Sequence, residues 1–255
     1  LVSGICNENI FIDVGKDRIT LDGQAVATST INGPDPNTAN ITIHARGVTI
    51  KRFTITGGRQ GVILQVGGTA TIDSNLIQFV GNRGVQLNRN AYAIIINNTI
   101  QNNPIDGILV SENSVARIGL TSGDAASASP NIIINNVGRG ILVSGSSSAR
   151  ITGNTISGNT GDGIGISSAS HADAASNDIS DNGGDGIFVS ENSGVNLGSD
   201  TGTAFDEAPN STGAPNAGFG IRCTINSYGD GRFGTLTGTS GQSSFTSACI
   251  NSVIP

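Results

Sequence analysis

The sequence predicts an all-β protein that folds as one right-handed parallel β-helix, and three observations support this prediction. A Gly-aliphatic-x-aliphatic unit recurs along the chain, asparagines recur at a fixed distance after its glycines, and no helical period of 3.6 residues is sustained. Glycine supplies 37 of the 255 residues, about twice the usual share. A repeat of this kind indicates a solenoid whose coils stack on one another.

The glycine units define coils of 23 residues and two longer intervals. Successive glycines are 23, 23, 33, 23, 23 and 34 residues apart, and we place the inserted residues at 119–130 and 198–209. The glycines are Gly61, Gly84, Gly107, Gly140, Gly163, Gly186 and Gly220. Regular coils are therefore expected over 61–223. We expect irregular N-terminal coils over 1–60 and a capping tail over 224–255, all within one domain.

Each unit contains three short segments with a period of two residues, separated by Gly, Asn, Asp and Ser. Three such strands per coil can pair in parallel with the next coil, about 4.8 Å away. Equivalent residues then form columns along the axis. Each inward aliphatic side chain stabilises the fold by about 1.5–3 kcal/mol relative to an exposed one. Because an amide both donates and accepts, stacked asparagines can bond to one another. The predicted asparagine ladders are Asn75, Asn98, Asn131, Asn154, Asn177 and Asn210, and Asn103, Asn136, Asn159 and Asn182.

Units such as Gly107-Ile108-Leu109-Val110 and Asn98-Thr99-Ile100 resemble those of the pectin-lyase-like β-helix superfamily, over roughly residues 40–226. In pectate lyases of that superfamily, the strand before the Asn turn bears acids that bind calcium. Here only Asp73 keeps the acid, and Ile96, Thr152 and Ala175 stand at the equivalent positions. The resemblance implies the fold, and it implies that a site would lie on the outward face of this strand.

Polar and aromatic side chains gather on that outward face. The residues eight and ten positions past each glycine point outward, because side chains alternate along a strand. Five of them fall on four consecutive coils: Tyr92, Arg117, Arg150, His171 and Asp173. The two insertions leave the same edge of this face. They would form the two sides of a groove over the coils that carry Arg150, His171 and Asp173. This coincidence is the main functional signal in the sequence.

These residue types suit a sugar acid as substrate. Arginine can hold a uronate carboxylate through two parallel hydrogen bonds and stabilise charge on the neighbouring carbon. His171 or Tyr92 would remove or return a proton. We therefore interpret His171, Arg150 and Tyr92 as catalytic, and Arg117 and Asp173 as substrate-binding. The alternative is that Arg150 and Asp173 form a surface ion pair without a function.

The insertions carry several acids. Asp124 and Asp200 are further candidate substrate-binding residues, and with Asp206 and Glu207 they suit calcium, which prefers clustered carboxylate oxygens. No spaced calcium-loop motif is present, so no metal ligand is assigned and calcium is the one cofactor considered. Solvated acidic loops are the alternative.

The three cysteines leave one thiol over. We predict a Cys223–Cys249 disulfide with Cys6 unpaired, although three reduced thiols would also fit. A net charge of −6 with 13 Lys and Arg argues against nucleic-acid binding, and no apolar run reaches the ~20 residues of a membrane helix. Since Leu1 is not a start methionine, we expect a processed or excised product. We also expect a protein that is secreted or displayed on the cell surface.

Two functions remain. The first is an extracytoplasmic protein that binds an acidic polysaccharide. If it is catalytic, it would be a lyase- or epimerase-like enzyme. The second is a non-catalytic surface or adhesion module that binds glycan or protein along its length. An outward apolar column of Ile63, Leu109, Leu142 and Phe188 would then be exposed, as an interface with another copy of the chain or with a missing segment.

Overall fold

The structure is a computed structural model that describes residues 4–121, 128–198, 208–224, 226–241 and 243–244. Within these residues the chain forms 27 strands and no helix. As far as Leu197 successive strands enter three sheets in turn, and the last three strands enter only two of them. Each strand pairs in parallel with the strand one coil away. The predicted parallel β-helix is therefore confirmed.

The three sheets contain eight, ten and nine strands. The first sheet consists of β1 (Gly4–Cys6), β4 (Ser29–Gly33), β7 (Thr54–Gly57), β10 (Leu76–Gln78), β13 (Thr99–Gln101), β16 (Ile132–Ile134), β19 (Thr155–Ser157) and β22 (Asp178–Ser180). The second sheet consists of β2 (Ile10–Ile12), β5 (Ile41–Ile43), β8 (Val62–Leu64), β11 (Val85–Leu87), β14 (Ile108–Val110), β17 (Ile141–Val143), β20 (Ile164–Ile166), β23 (Ile187–Val189), β25 (Ile221–Cys223) and β27 (Ser243–Ser244). The third sheet consists of β3 (Thr20–Asp22), β6 (Val48–Lys51), β9 (Thr69–Asp73), β12 (Tyr92–Ile96), β15 (Val115–Ile118), β18 (Ser148–Thr152), β21 (His171–Ala175), β24 (Gly194–Leu197) and β26 (Tyr228–Gly231).

The glycine units form the strands of the second sheet. Ile108 pairs in register with Ile141, and both are fully buried in the core. A Cβ atom on Gly107 would lie 2.7 Å from the Gly140 carbonyl oxygen and 2.7 Å from Cγ2 of Ile133. The repeat therefore requires glycine at this corner because two coils approach each other closely there.

Both predicted asparagine ladders are present. Oδ1 of Asn154 accepts hydrogen bonds from the backbone N and the Nδ2 of Asn131, at 3.0 and 2.9 Å. Nδ2 of Asn154 donates to Oδ1 of Asn177 at 3.0 Å and to the Ile118 carbonyl at 2.9 Å. The second ladder extends one coil further than predicted, because Asn182 donates to Oδ1 of Asn216 at 2.8 Å. Each amide thus joins three coils.

A third ladder, of serine side chains, links the turns between the second and third sheets. In each step a serine Oγ accepts a hydrogen bond of 3.1 Å from the backbone N–H of the coil before it. Its members are Ser114, Ser147, Ser170 and Ser193. The sequence does not reveal this ladder, since serine is frequent in all the turns.

The prediction that the outward apolar column is exposed is wrong for two of its members. Ile63 and Leu109 are only 6% and 7% exposed, and Leu142 is partly buried. The apolar stem of Arg139 lies over Gly165, which pairs with Leu142 in this column: a Cβ atom on Gly165 would lie 2.6 Å from Cδ of Arg139. The guanidinium carbon of Arg222 lies 4.5 Å from the centre of the Phe188 ring. The column therefore offers little apolar surface for a second copy of the chain.

The cysteines are placed as follows. Cys6, on β1, is a free thiol, and burial together with the nearby Glu8 carboxylate raises its pKa. Cys223 is buried on β25. Cys249 lies outside the described residues, so the Cys223–Cys249 disulfide stays a prediction. No stretch of the described chain forms a long apolar helix of the kind that spans a lipid bilayer.

Candidate functional site

The outward face of the third sheet carries the candidate site. Its strands pair in register, so outward side chains from successive coils form two columns. Neighbouring members of one column are about 4.8 Å apart, the spacing between adjacent strands. From β12 to β26 the first column is Tyr92, Val115, Ser148, His171, Gly194 and Tyr228. The second column is Ile94, Arg117, Arg150, Asp173, Asn196 and Asp230.

His171 is the centre of a cluster of polar side chains. Its Nε2 lies 3.3 Å from Oδ1 of Asp173 and 3.3 Å from Nδ2 of Asn196. Asn196 also donates a hydrogen bond of 2.9 Å to the same Asp173 oxygen. The His171 and Asp173 side chains are 38% and 53% exposed. The cluster is thus organised by protein contacts and open to a ligand from solvent.

Tyr228 completes the cluster from the other side of the imidazole ring. Its hydroxyl lies 3.4 Å from Nδ1 of His171, and the two ring centres are 6.3 Å apart. Tyr228 is not among the predicted site residues. Its position is nevertheless visible in the sequence, because it lies eight residues after Gly220, at the outward position used for the earlier coils.

The charge of Asp173 is stabilised within the cluster. The hydrogen bond from His171 lowers the pKa of the Asp173 carboxyl below its usual value, and Asn196 and the positive charge of Arg150 act in the same direction. Burial opposes them. Asp173 is therefore an anion at neutral pH, placed to orient the imidazole.

The two arginines lie next to the cluster on β15 and β18. Arg150 pairs in register with Arg117 on one side and with Asp173 on the other. Nη1 of Arg117 donates a hydrogen bond of 3.3 Å to the Thr121 carbonyl, at the start of the first insertion. Two positive charges thus occupy neighbouring strands beside the imidazole.

The other predicted site residues are less close. Tyr92 is on β12, three strand spacings and roughly 14 Å from His171. Asp124 and Asp200 lie outside the described residues, as do the middle parts of both insertions, so the predicted groove walls stay a prediction. The structure therefore brings together His171, Asp173 and the neighbouring Arg150, but not Tyr92.

The family follows from comparison with known proteins. A model of the right handed beta helix region matches residues 39–119 and 105–207, which together form more than half of the chain. The chain belongs to the right-handed β-helix family. No curated protein sequence matches it significantly.

Two modules of mannuronan C-5 epimerases are among the solved structures to which this chain is similar. The A-module of mannuronan C-5 epimerase AlgE4 from Azotobacter vinelandii has a TM-score of 0.50 and 14% identity, over 92% of this β-helix and 76% of that chain. The A-module of mannuronan C-5 epimerase AlgE6 from the same organism has a TM-score of 0.45 and 12% identity, over 97% of this β-helix and 89% of that chain. At such low identity the first of these supports the shared fold alone.

The calcium cluster of pectate lyases does not fit the residues of this β-helix. Asp73, the one acid kept at that position, accepts hydrogen bonds from Ser74 Oγ at 2.8 Å and from Asn97 Nδ2 at 2.9 Å. Among the described residues, no group of three or more His, Cys, Asp or Glu side chains is placed to hold a metal ion.

Proposed function

We propose that this β-helix binds an acidic polysaccharide across the outward face of its third sheet and acts on it as a lyase- or epimerase-like enzyme. One observation carries the proposal: an oriented histidine, His171, lies one strand from an arginine, Arg150. Proton transfer and carboxylate binding are thus available within one sugar unit of each other. The shared fold with enzymes named for a uronate polymer is consistent with this substrate class.

The chemistry depends on the acidity of the carbon that bears the uronate carboxylate. When a base removes the proton from this carbon, negative charge spreads onto the carboxylate, and an arginine bonded to that carboxylate stabilises it. His171 is the base, and the Asp173 carboxylate stabilises the imidazolium that forms. If the bond from the adjacent carbon to the glycosidic oxygen then breaks and that oxygen takes up a proton from water, the product is an unsaturated sugar. If the carbon instead takes up a proton from water on the face opposite His171, the product is the epimer.

The charge distribution supports binding at this face. The whole chain carries a net charge of −6, which repels a polyanion. Arg117 and Arg150 on adjacent strands form a local positive site that offsets this repulsion at close range. We propose that they hold consecutive acidic groups of one chain, and that Tyr92 contacts the sugar beyond them.

We also propose an extracytoplasmic location. Acidic polysaccharides of this class lie outside the cytoplasm, and the predicted disulfide suits an oxidising compartment. Calcium remains a candidate cofactor only through the acids of the insertions, Asp124 and Asp200.

The first prediction tests catalysis by exchange of the acidic proton. Mannuronan and polygalacturonate are incubated with the protein in D2O, with and without added calcium. Deuterium at the carbon next to the carboxylate is measured by NMR, and unsaturated product by ultraviolet absorbance. We expect His171→Ala to lower kcat by about 10²–10⁴-fold, and Arg150→Ala to raise KM and lower kcat. Arg59→Ala is the matched control for loss of a positive charge, because Arg59 is exposed on the turn before β8, away from the third sheet.

Three results of this experiment would count against the proposal. Exchange that continues unchanged in His171→Ala would exclude this residue as the base. Binding with neither deuterium exchange nor unsaturated product in the wild-type protein would exclude catalysis and favour the adhesion module. Absence of binding, exchange and unsaturated product would exclude a uronate polymer as ligand.

The adhesion module is favoured by one other observation. From β4 to β19 the outward side chains of the first sheet carry no charge, and they consist mostly of Thr, Gln, Ile and Ser. Such a face suits non-catalytic contact along the length of the solenoid.

A further inference from the structure

The Tyr228 side chain occupies space that is free only because residue 194 is a glycine. In the first outward column, Gly194 on β24 lies between His171 on β21 and Tyr228 on β26. A Cβ atom on Gly194 would lie 2.2 Å from Cζ of Tyr228 and 2.6 Å from its hydroxyl oxygen. The tyrosine ring therefore lies across the glycine, and this position brings its hydroxyl to Nδ1 of His171.

The Asp173 carboxylate favours one tautomer of His171. The amide of Asn196 also lies 3.3 Å from Nε2, but it donates its hydrogen bond of 2.9 Å to Oδ1 of Asp173. The anionic Oδ1 of Asp173 lies 3.3 Å from Nε2, and a hydrogen on Nε2 turns this approach into a hydrogen bond. A lone pair on Nε2 would instead face the carboxylate and be repelled by it. With the hydrogen on Nε2, Nδ1 carries the lone pair, and the Tyr228 hydroxyl can donate to it. Asp173, His171 and Tyr228 then form one chain of hydrogen bonds.

We propose that Tyr228 and Gly194 are positioning residues that hold His171 in the tautomer with its hydrogen on Nε2. Tyr228 does so through its hydroxyl, and Gly194 does so by leaving room for the tyrosine ring. The inference rests on the proposed function: in this tautomer Nδ1 is the nitrogen of His171 that takes the substrate proton, and the Tyr228 hydroxyl then turns from hydrogen-bond donor to acceptor. It adds the ninth strand of the third sheet, β26, to a site whose predicted residues lie on earlier coils.

The second prediction tests this arrangement by NMR, with no substrate present. In protein labelled with ¹⁵N on histidine, above the pH at which the imidazole is charged, we expect Nε2 of His171 to give the signal of a protonated nitrogen. Nδ1 should give the signal of an unprotonated nitrogen that accepts a hydrogen bond. In Tyr228→Phe the Nδ1 signal should move toward that of an unprotonated nitrogen without a hydrogen bond, because the hydroxyl that donates to it is removed. In Gly194→Ala it should move likewise although the hydroxyl is still present, because the new methyl group displaces the ring.

Two variants control for nonspecific effects on these signals. Gly213→Ala adds a methyl group whose nearest atom, Oδ2 of Asp178, is 3.8 Å away, so it should leave the His171 signals unchanged. Tyr92→Phe removes a hydroxyl from the same outward column three strands away and should also leave them unchanged. Wild-type signals in both Tyr228→Phe and Gly194→Ala would overturn the inference, as would a wild-type His171 with its hydrogen on Nδ1.

Activity distinguishes failure of this inference from failure of the proposed function. If the wild-type protein exchanges the substrate proton, Tyr228→Phe and Gly194→Ala should lower kcat by up to about 10²-fold, the cost of a reacting group misplaced by ~1 Å, with little change in KM. Unchanged kcat in both variants would overturn the inference while leaving the function intact. If the wild-type protein has no activity, the function fails, and the NMR signals still decide the position of His171.

Discussion

At the residue scale, the charge of Asp173 is the feature on which the cluster depends. The hydrogen bond from His171 is the largest cause of its lowered pKa, and Asn196 contributes less. Because the pKa is lower in the folded state, Asp173 stabilises the fold above its unfolded pKa of about 3.9. This contribution is lost as the pH falls through the folded-state pKa. It is small, since about half of the side chain is exposed and solvent screens the charge.

The third prediction concerns the titration of Asp173. Followed by NMR of its carboxyl carbon, Asp173 should titrate below the usual pH of an aspartate. His171→Ala should move the midpoint upward because it removes the main hydrogen bond, and Asn196→Ala should move it upward by less. Equal midpoints in the wild type and His171→Ala would show that the imidazole does not stabilise this carboxylate.

At the scale of the structural element, the asparagine ladders connect the coils where the sheets end. Asn154 is 1% exposed and makes hydrogen bonds to Asn131, Asn177 and the carbonyls of Ile118 and Thr152. A buried group that loses its partner costs about 1–3 kcal/mol. Several groups lose a partner at once if this amide is removed, so the ladder is a large part of what holds the turns in place.

The fourth prediction concerns the hydrogen bonds of Asn154. Asn154→Ala should lower the free energy of unfolding by about 3 kcal/mol, because it leaves more than one buried group unsatisfied. Urea denaturation followed by circular dichroism measures this change. Asn37→Ala is the control, since Asn37 is exposed on a turn outside the ladders, and should change the stability by less than about 0.5 kcal/mol. Equal effects of the two variants would contradict a structural role for the ladder.

At the scale of the whole molecule, the solenoid determines how distant parts of the chain can affect the site. Each coil contacts only its neighbours, so stability is close to a sum over coils and interfaces. The last coils, which supply Asn196 and Tyr228, therefore depend on whatever fixes the C-terminal end of the chain. The predicted Cys223–Cys249 disulfide would be such a constraint.

The fifth prediction tests this disulfide. Peptide mapping without reduction should find Cys223 joined to Cys249, and alkylation should label Cys6 alone. Cys249→Ser should destabilise the protein by about 2–4 kcal/mol, measured by urea denaturation, and Cys6→Ser should have little effect. Alkylation of all three cysteines in the native protein would show that the thiols are reduced.

The sequence alone determined the architecture and the composition of the outward face. A 23-residue period places equivalent residues one strand apart, so the spacing already put Arg150, His171 and Asp173 side by side. The roles of the recurring glycines and asparagines could be predicted as well, because a repeated coil imposes the same requirement at every turn. Periodicity therefore predicts which residues are neighbours along a column.

Only the tertiary structure decided what those neighbours do. Tyr228 occupies a predictable position, but its approach to His171 depends on the direction of its side chain and on the space above Gly194. Likewise Ile63 and Leu109 point outward as the period requires and are still buried. Spacing fixes the direction of each Cβ atom, whereas contacts and exposure depend on how long side chains from different coils pack over one another.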